Sequence, residues 1–248
     1  MSNDAIEGSQ GILVASDKQQ EWLLPWWWGH YSRCNNYPVA IVDLGMTEEA
    51  KAWCQEHGTL LALPRTRCLK KEETPSEKAL QWEKCFGTTF WPSRSSWFIK
   101  PLAMMQTSYH KTLWLDLDTE VRASLEPLFQ EEHELAMAQE PEFSKNHEIS
   151  HGLIHENEKL FNAGVVLYKA KSAAMALWAQ EALKNAPYFW SDQHVAARLH
   201  YQNRLTIQEL SPLYNWRFTQ GENPEAIIVH YVGNMGKEYI SLRLHSRL

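Results

Sequence analysis

Two carboxylates stand one residue apart, Asp116 and Asp118, directly after the apolar run Leu113-Trp114-Leu115. On an extended chain, side chains at i and i+2 point to the same face, so both carboxylates can reach one ion while Leu117 turns into the core. Hard carboxylate oxygens suit Mg²⁺ or Mn²⁺, cations that keep coordination positions for water and substrate phosphates. A metal held there would bridge a diphosphate and neutralise the charge it gains as a leaving group. The position fits as well, since ligands in open α/β sheets gather at the carboxyl ends of strands. A D-x-D triplet by itself also describes an ordinary turn or helix cap, so its context decides.

One competing chemistry uses the same residues. Asp116-Leu117-Asp118-Thr119 matches the D-x-D-x-T opening of haloacid-dehalogenase-like phosphatases, in which the first Asp is a nucleophile and the second a general acid. That chemistry needs further Asp residues after later strands, commonly as G-D-x-x-x-D, and this chain has no such run. It also places its nucleophile near the start of the core, whereas here three candidate strands come first.

Those strands belong to an alternating pattern. Gly11 to Ala15 and Pro38 to Asp43 are short apolar runs that read as buried strands, and Thr59 to Leu63 is a third. Thr47-Glu48-Glu49 supplies an N-cap and an acidic first turn for a helix between them. Pro64 to Ser76 is charged and without periodicity, which predicts a loop. Pro101 suits the first turn of a helix whose buried face carries Leu102, Met105 and Tyr109, feeding a strand over Thr112 to Leu115. Phe161 to Tyr168 reads as a strand, Ser172 to Leu183 and Asp192 to His200 as helices, and Leu205 to Leu210 and Ala226 to His230 as late strands. Strands alternating with helices predict an α/β fold, a mostly parallel central sheet flanked by helices on both faces. There is no internal repeat and no linker, so residues 1–248 are expected to form a single domain.

With these residues in place, the sequence resembles glycosyltransferase family 8, the group of glycogenin-like and lipopolysaccharide galactosyltransferase-like enzymes, from Ile12 to about Lys237. Lys100 lies sixteen positions before Asp116, where that family carries a basic residue on the donor. Phe161-Asn162-Ala163-Gly164 is similar to its F-N-x-G strand, and Ser191-Asp192-Gln193 to its D-Q motif thirty positions later. His230-Tyr231-Val232-Gly233 is similar to its H-x-x-G, with one departure: the family's following lysine falls at 237, because position 236 is Gly. The resemblance implies a GT-A fold and a metal-dependent hexose transfer from a nucleotide diphosphate sugar, UDP-linked, to a hydroxyl acceptor, with the anomeric configuration retained. It implies Asp116, Asp118 and His230 as ligands of Mn²⁺ or Mg²⁺. Val14, Ala15, Ser16, Asp17, Lys100, Asn162, Ala163, Gly233 and Lys237 would bind the donor, and Asp192 and Gln193 would lie near the anomeric carbon. A catalytically silent nucleotide-sugar-binding protein is the third alternative, and the shifted Lys237 is the feature that favours it.

Several of these residues also have plain structural uses. Asp17 either accepts from a base edge or ribose hydroxyl or caps the helix beginning near Gln19. Asn162 either faces the donor sugar or is a buried amide satisfied by backbone. The chain has 12 Trp, a residue that stacks well on sugar rings. Trp26-Trp27-Trp28 on one helix cannot all face one way, so Trp216, beside Asn215, is the better candidate for the acceptor side.

Composition removes other classes. A net charge of −6 and the absence of a clustered basic run argue against a nucleic-acid partner. Cys34, Cys54, Cys68 and Cys85 form no C-x-x-C pair, so neither a zinc site nor a disulfide scaffold is expected. The acidic start is unlike a signal peptide, and no apolar run reaches membrane-spanning length. A cytoplasmic protein, at most peripheral to a membrane, is the expectation.

Overall fold

The computed structural model describes residues 6–64 and 69–245. The first part of the chain runs β1 (Ile6–Ser16), α1 (Leu24–Tyr31), β2 (Val39–Asp43), α2 (Glu48–His57), β3 (Thr59–Ala62), α3 (Ser76–Phe86), α4 (Trp91–Met104) and β4 (Tyr109–Leu115). There follow β5 (Thr119–Val121), α5 (Glu126–Gln130), β6 (Leu135–Gln139), α6 (Glu142–Ser150) and β7 (Phe161–Lys169). The chain continues through α7 (Ala173–Asn185), α8 (Asp192–Tyr201), β8 (Gln208–Leu210), β9 (Trp216–Arg217), β10 (Ile228–His230) and α9 (Gly233–His245).

Seven strands form the central sheet in the order β3-β2-β1-β4-β7-β6-β8, and a small sheet is ordered β5-β10-β9. Four of the six pairings in the large sheet are parallel, as the alternating pattern predicted. The exception is β7, antiparallel to both neighbours. Alternation along each strand divides the core in two. Ile12, Val14, Leu113 and Leu115 face α1 and the small sheet. Leu13 and Trp114 face α4, α7 and α8.

Local signals explain most boundaries. Thr47 Oγ1 accepts from the Ala50 N–H at 3.3 Å and starts α2, and Ser172 does the same for Met175 at the start of α7. Pro101 does not open a helix. It lies inside α4, which begins ten residues earlier at Trp91 with Pro92 in its first turn. Tyr109 opens β4 rather than completing a helical face. The helix tolerates Pro101 because the ring sits near its end, where one lost backbone bond costs least. The late strands shrink to three residues each, Gln208–Leu210 and Ile228–His230. Within the predicted loop, Lys71–Glu73 make one 3₁₀ turn, while residues 65–68, including Cys68, lie outside the described residues, as do 1–5 and 246–248. Among the described residues no helix is long and apolar enough to cross a membrane, and Cys34, Cys54 and Cys85 carry free thiols.

Candidate active site

A cleft opens at the carboxyl ends of β1 and β4. Ala15, Ser16 and Asp17 line it from β1, Trp97 and Lys100 from α4, Asp116 and Asp118 from the turn after β4, and Lys237 from α9. Seven of the sequence-selected residues therefore meet in one place, drawn from segments more than 200 positions apart in the chain.

The two carboxylates converge by a turn rather than by strand alternation. β4 ends at Leu115, and the Thr119 N–H and Oγ1 both donate to the Asp116 carbonyl, at 3.1 and 2.7 Å. This folds Asp118 back beside Asp116, while Leu117 joins the core as expected. His230, at the end of β10, completes the group: ligand atoms of Asp116, Asp118 and His230 all lie within 4.8 Å of one another. Two carboxylates and an imidazole are a donor set that fits Mn²⁺ or Mg²⁺, and among the described residues no other such group exists.

Each carboxylate has a lysine. Lys100 Nζ lies 2.8 Å from Asp116 Oδ2, and Lys237 Nζ 2.6 Å from Asp118 Oδ2. Burial pushes the Asp118 carboxyl up, but Lys237 and His230 outweigh it and hold it well below the usual carboxylate range. Burial pulls Lys100 down, and the negative charge of Asp116, with Asp192 and Asp118 behind it, turns the shift upward. Trp114 Nε1 donates to Asp116 Oδ1 at 2.7 Å, which leaves that carboxylate fixed on both oxygens.

Comparisons with known proteins agree with this geometry. A sequence profile of glycosyl transferase family 8 matches residues 100–236, more than half of the chain, and that span holds Lys100, Asp116, Asn162, Asp192 and His230. The chain belongs to glycosyl transferase family 8. Its fold is similar to the galactosyltransferase LgtC solved with donor and acceptor sugar analogs, at 15% identity over 94% of each chain and a TM-score of 0.63. Mouse xyloside xylosyltransferase 1 is similar at 16% identity over 91% of this chain and 98% of that one, with a TM-score of 0.54. The glycosyltransferase GlyE of Streptococcus pneumoniae is similar at 16% identity over 91% of this chain and 56% of that one, with a TM-score of 0.57. No curated protein matches at the sequence level. The chain is a glycosyltransferase of the GT-A fold, and the phosphatase alternative has no support.

The remaining site residues of this family 8 protein fall into three groups. Asp192 opens α8, is 3% exposed, and its Oδ2 has no hydrogen-bond partner. Burial raises its pKa to about 6, against the pull of Lys100. Gln193 is tied down at both ends: its Oε1 accepts from the Ala163 N–H at 3.2 Å and its Nε2 donates to Glu140 Oε1 at 3.3 Å. The Ala163 carbonyl in turn accepts from Lys100 at 3.2 Å.

A second group is buried behind the cleft rather than lining it. Asn162 donates to Glu140 Oε1 and accepts from Gly164 N–H and Asn215 Nδ2, so both ends of its amide are held. Val14 is fully buried in the core. Gly164 lies under His230, where an added Cβ would collide with the imidazole ring. That contact gives the glycine of F-N-A-G a physical reason.

In the third group the structure defines the local setting of single residues. Asp17 caps the turn that follows β1, its Oδ1 accepting from Gln19 and Gln20 N–H, and the residue also lines the cleft. Gly233, at φ +78, starts α9, so the segment to Gly236 is a first helical turn. Gly236 packs against the Tyr231 backbone, where no side chain fits, and the lysine follows at 237. Trp216 donates to the Gly221 carbonyl and packs on the core, away from the cleft. In the α1 triplet Trp27 stacks on Tyr31, Trp28 meets Trp53, and Trp26 meets Tyr231. Trp97 is the tryptophan on the α4 side of the cleft, one helical turn before Lys100. It was recognisable only once α4 was known to start at Trp91.

Proposed function

We propose that this glycosyltransferase moves a hexose from a UDP-sugar to a hydroxyl of a carbohydrate or other acceptor, with retention of anomeric configuration, in a single cytoplasmic domain spanning residues 1–248. The observation that carries the reading is the meeting of Asp116, Asp118 and His230 within 4.8 Å, with both carboxylates and two lysines lining one cleft. Asp116, Asp118 and His230 would hold Mn²⁺ or Mg²⁺. Such an ion, when bound, offsets negative charge on a departing diphosphate.

The chain's own residues account for the rest. Lys100 and Lys237 are placed to add charge-assisted hydrogen bonds to phosphate oxygens, a preorganised form of leaving-group stabilisation. Ala15, Ser16 and Asp17 form the end of the cleft where base and ribose would rest, with Gly233 letting the backbone come close to the phosphates. Asn162 and Ala163 hold the strand under the sugar. Gln193, fixed by Glu140 and the Ala163 N–H, and Asp192 before it would lie near the anomeric carbon. No side chain is assigned as a covalent nucleophile.

Calorimetric titration of UDP-sugars with and without Mn²⁺, on wild type and Asp118→Ala, tests the reading. Metal-dependent binding that the substitution abolishes is expected, together with slow donor hydrolysis. Equal binding by both proteins, or none by either with Mn²⁺ present, would sink it. Binding with neither transfer nor hydrolysis would instead favour the silent binding protein.

A further inference from the structure

The residue that turns His230 toward the carboxylates is absent from the site the sequence predicted. His230 Nδ1 lies 2.9 Å from Asn215 Oδ1, and its Nε2 lies 3.2 Å from Asp118 Oδ1. Asn215 is buried just before β9, the strand that pairs with β10 beside His230. Its carboxamide is not free to flip: Nδ2 donates to Asn162 Oδ1 at 2.9 Å and to the Asn162 carbonyl at 3.3 Å. Oδ1 therefore faces the imidazole, and an amide oxygen only accepts.

The direction of these bonds is set farther back. Asn162 Oδ1 accepts from the Gly164 N–H at 2.8 Å, and Asn162 Nδ2 donates to Glu140 Oε1 at 2.7 Å. A flip of Asn162 would place its nitrogen against a backbone N–H and its oxygen against a carboxylate, losing both bonds. Glu140 is buried, and its charge is balanced by Arg217 Nη1 at 2.7 Å from Oε2. Donation thus runs in one sense from His230 through Asn215 and Asn162 to the Glu140 carboxylate.

We propose that Asn215 is a positioning residue that keeps His230 protonated at Nδ1, so that Nε2 presents its lone pair to the metal, and that Glu140, neutralised by Arg217, orients the chain of amides that holds Asn215. The inference rests on the metal-site reading above and extends it to residues outside the ligand set. Outer partners of ligating histidines fix tautomer and ring orientation in this way.

The experiment combines Mn²⁺ titration of wild type, Asn215→Leu and Asn215→Asp with nitrogen NMR of His230 in wild type loaded with Mg²⁺ and UDP. Asn215→Leu is expected to weaken Mn²⁺ binding by about 10- to 100-fold. Asn215→Asp, which still offers an oxygen to Nδ1–H, is expected to recover most of that loss, and a purely structural role for Asn215 predicts no such rescue. In wild type Nδ1 is expected to carry the proton. Undiminished Mn²⁺ affinity in Asn215→Leu, or an unprotonated Nδ1 in wild type, would overturn the proposal, and the second result needs no variant to fold. A wild type that binds no Mn²⁺ while Nδ1 stays protonated would remove the metal-site reading and leave the tautomer assignment standing.

Discussion

Burial makes Asp192 a carboxyl whose ionisation the fold resists, and that gives a pH dependence with a definite sign. Its pKa in the folded chain is raised to about 6 from the ordinary 3.8. A group with a raised folded pKa adds stability below its unfolded pKa, and the contribution is lost as pH rises through the folded value. In metal-free protein, Asp192→Asn is therefore expected to be more stable than wild type at pH 8, by at most about 3 kcal/mol. The advantage should shrink between pH 6 and pH 4. Urea unfolding at a series of pH values measures it; a pH-independent difference would mean that desolvation does not govern Asp192. Gly164 offers a second test at this scale. Alanine there drives a methyl group into the His230 ring, so Gly164→Ala should cost about 1–3 kcal/mol of stability and weaken Mn²⁺ binding as well. Thermal unfolding and metal titration on one sample separate the two effects. That Asp116 and Asp118 would share a face was legible from their spacing, and His230 was singled out by the family resemblance; the structure brings the three within 4.8 Å. Glu140, Asn215 and Arg217 were not legible as site residues, because their roles exist only through bonds to residues distant in the chain.

Elements with strong local signals were read correctly, and those made by tertiary packing were not. β1, β2, β7 and α7 carry apolar runs, a helical period or a side-chain cap that owe little to the rest of the chain. β5 and β9, of three and two residues, take their extended form from β10 between them and have no period to detect. β6, Leu-Ala-Met-Ala-Gln, has a composition closer to a helix, and pairing with β7 and β8 overrides it. The helix around Pro101 was placed late because a proline suits either a first turn or a tolerated position near a helix end. That error hid Arg94. Its guanidinium, on α4, lies against Trp82 and Phe98 and donates to the carbonyls of Ala186, Phe189 and Trp190 between α7 and α8. Arg94→Met keeps the stem but leaves these acceptors unpaired, so a loss of about 3 kcal/mol or more is expected. Because Trp190 leads directly into Ser191-Asp192, kcat should fall more than donor affinity. Chemical denaturation and steady-state kinetics check the two parts; unchanged kcat in a folded variant would show that this connection does not position α8.

Across the whole molecule, the cleft concentrates two lysines and three carboxylates in a chain whose net charge is −6. Its parts arrive from β1, α4, the turn after β4, β10 and α9, so a bound ligand would tie together segments far apart in the chain. Ligand binding to the folded chain alone stabilises it by RT ln(1 + [L]/Kd), about 2.7 kcal/mol at a hundredfold excess over Kd. For a chain of this length that corresponds to a rise of roughly 5–10 °C in Tm. Mn²⁺ without UDP must displace Lys237 from Asp118 and Lys100 from Asp116 with no phosphate to receive the ammonium groups. UDP without metal meets two carboxylates. Each ligand removes the electrostatic obstacle to the other, and such coupling is reciprocal. Scanning calorimetry is therefore expected to show a larger rise in Tm with Mn²⁺ and UDP together than the sum of the two separate rises. Lys237→Met should lower UDP affinity in Mn²⁺ by about 10-fold or more, since it removes one charge-assisted bond to phosphate, and should bring the combined rise closer to additive. Strictly additive shifts in wild type would show that metal and diphosphate occupy independent sites, and the lysines would then be counter-ions of the carboxylates alone.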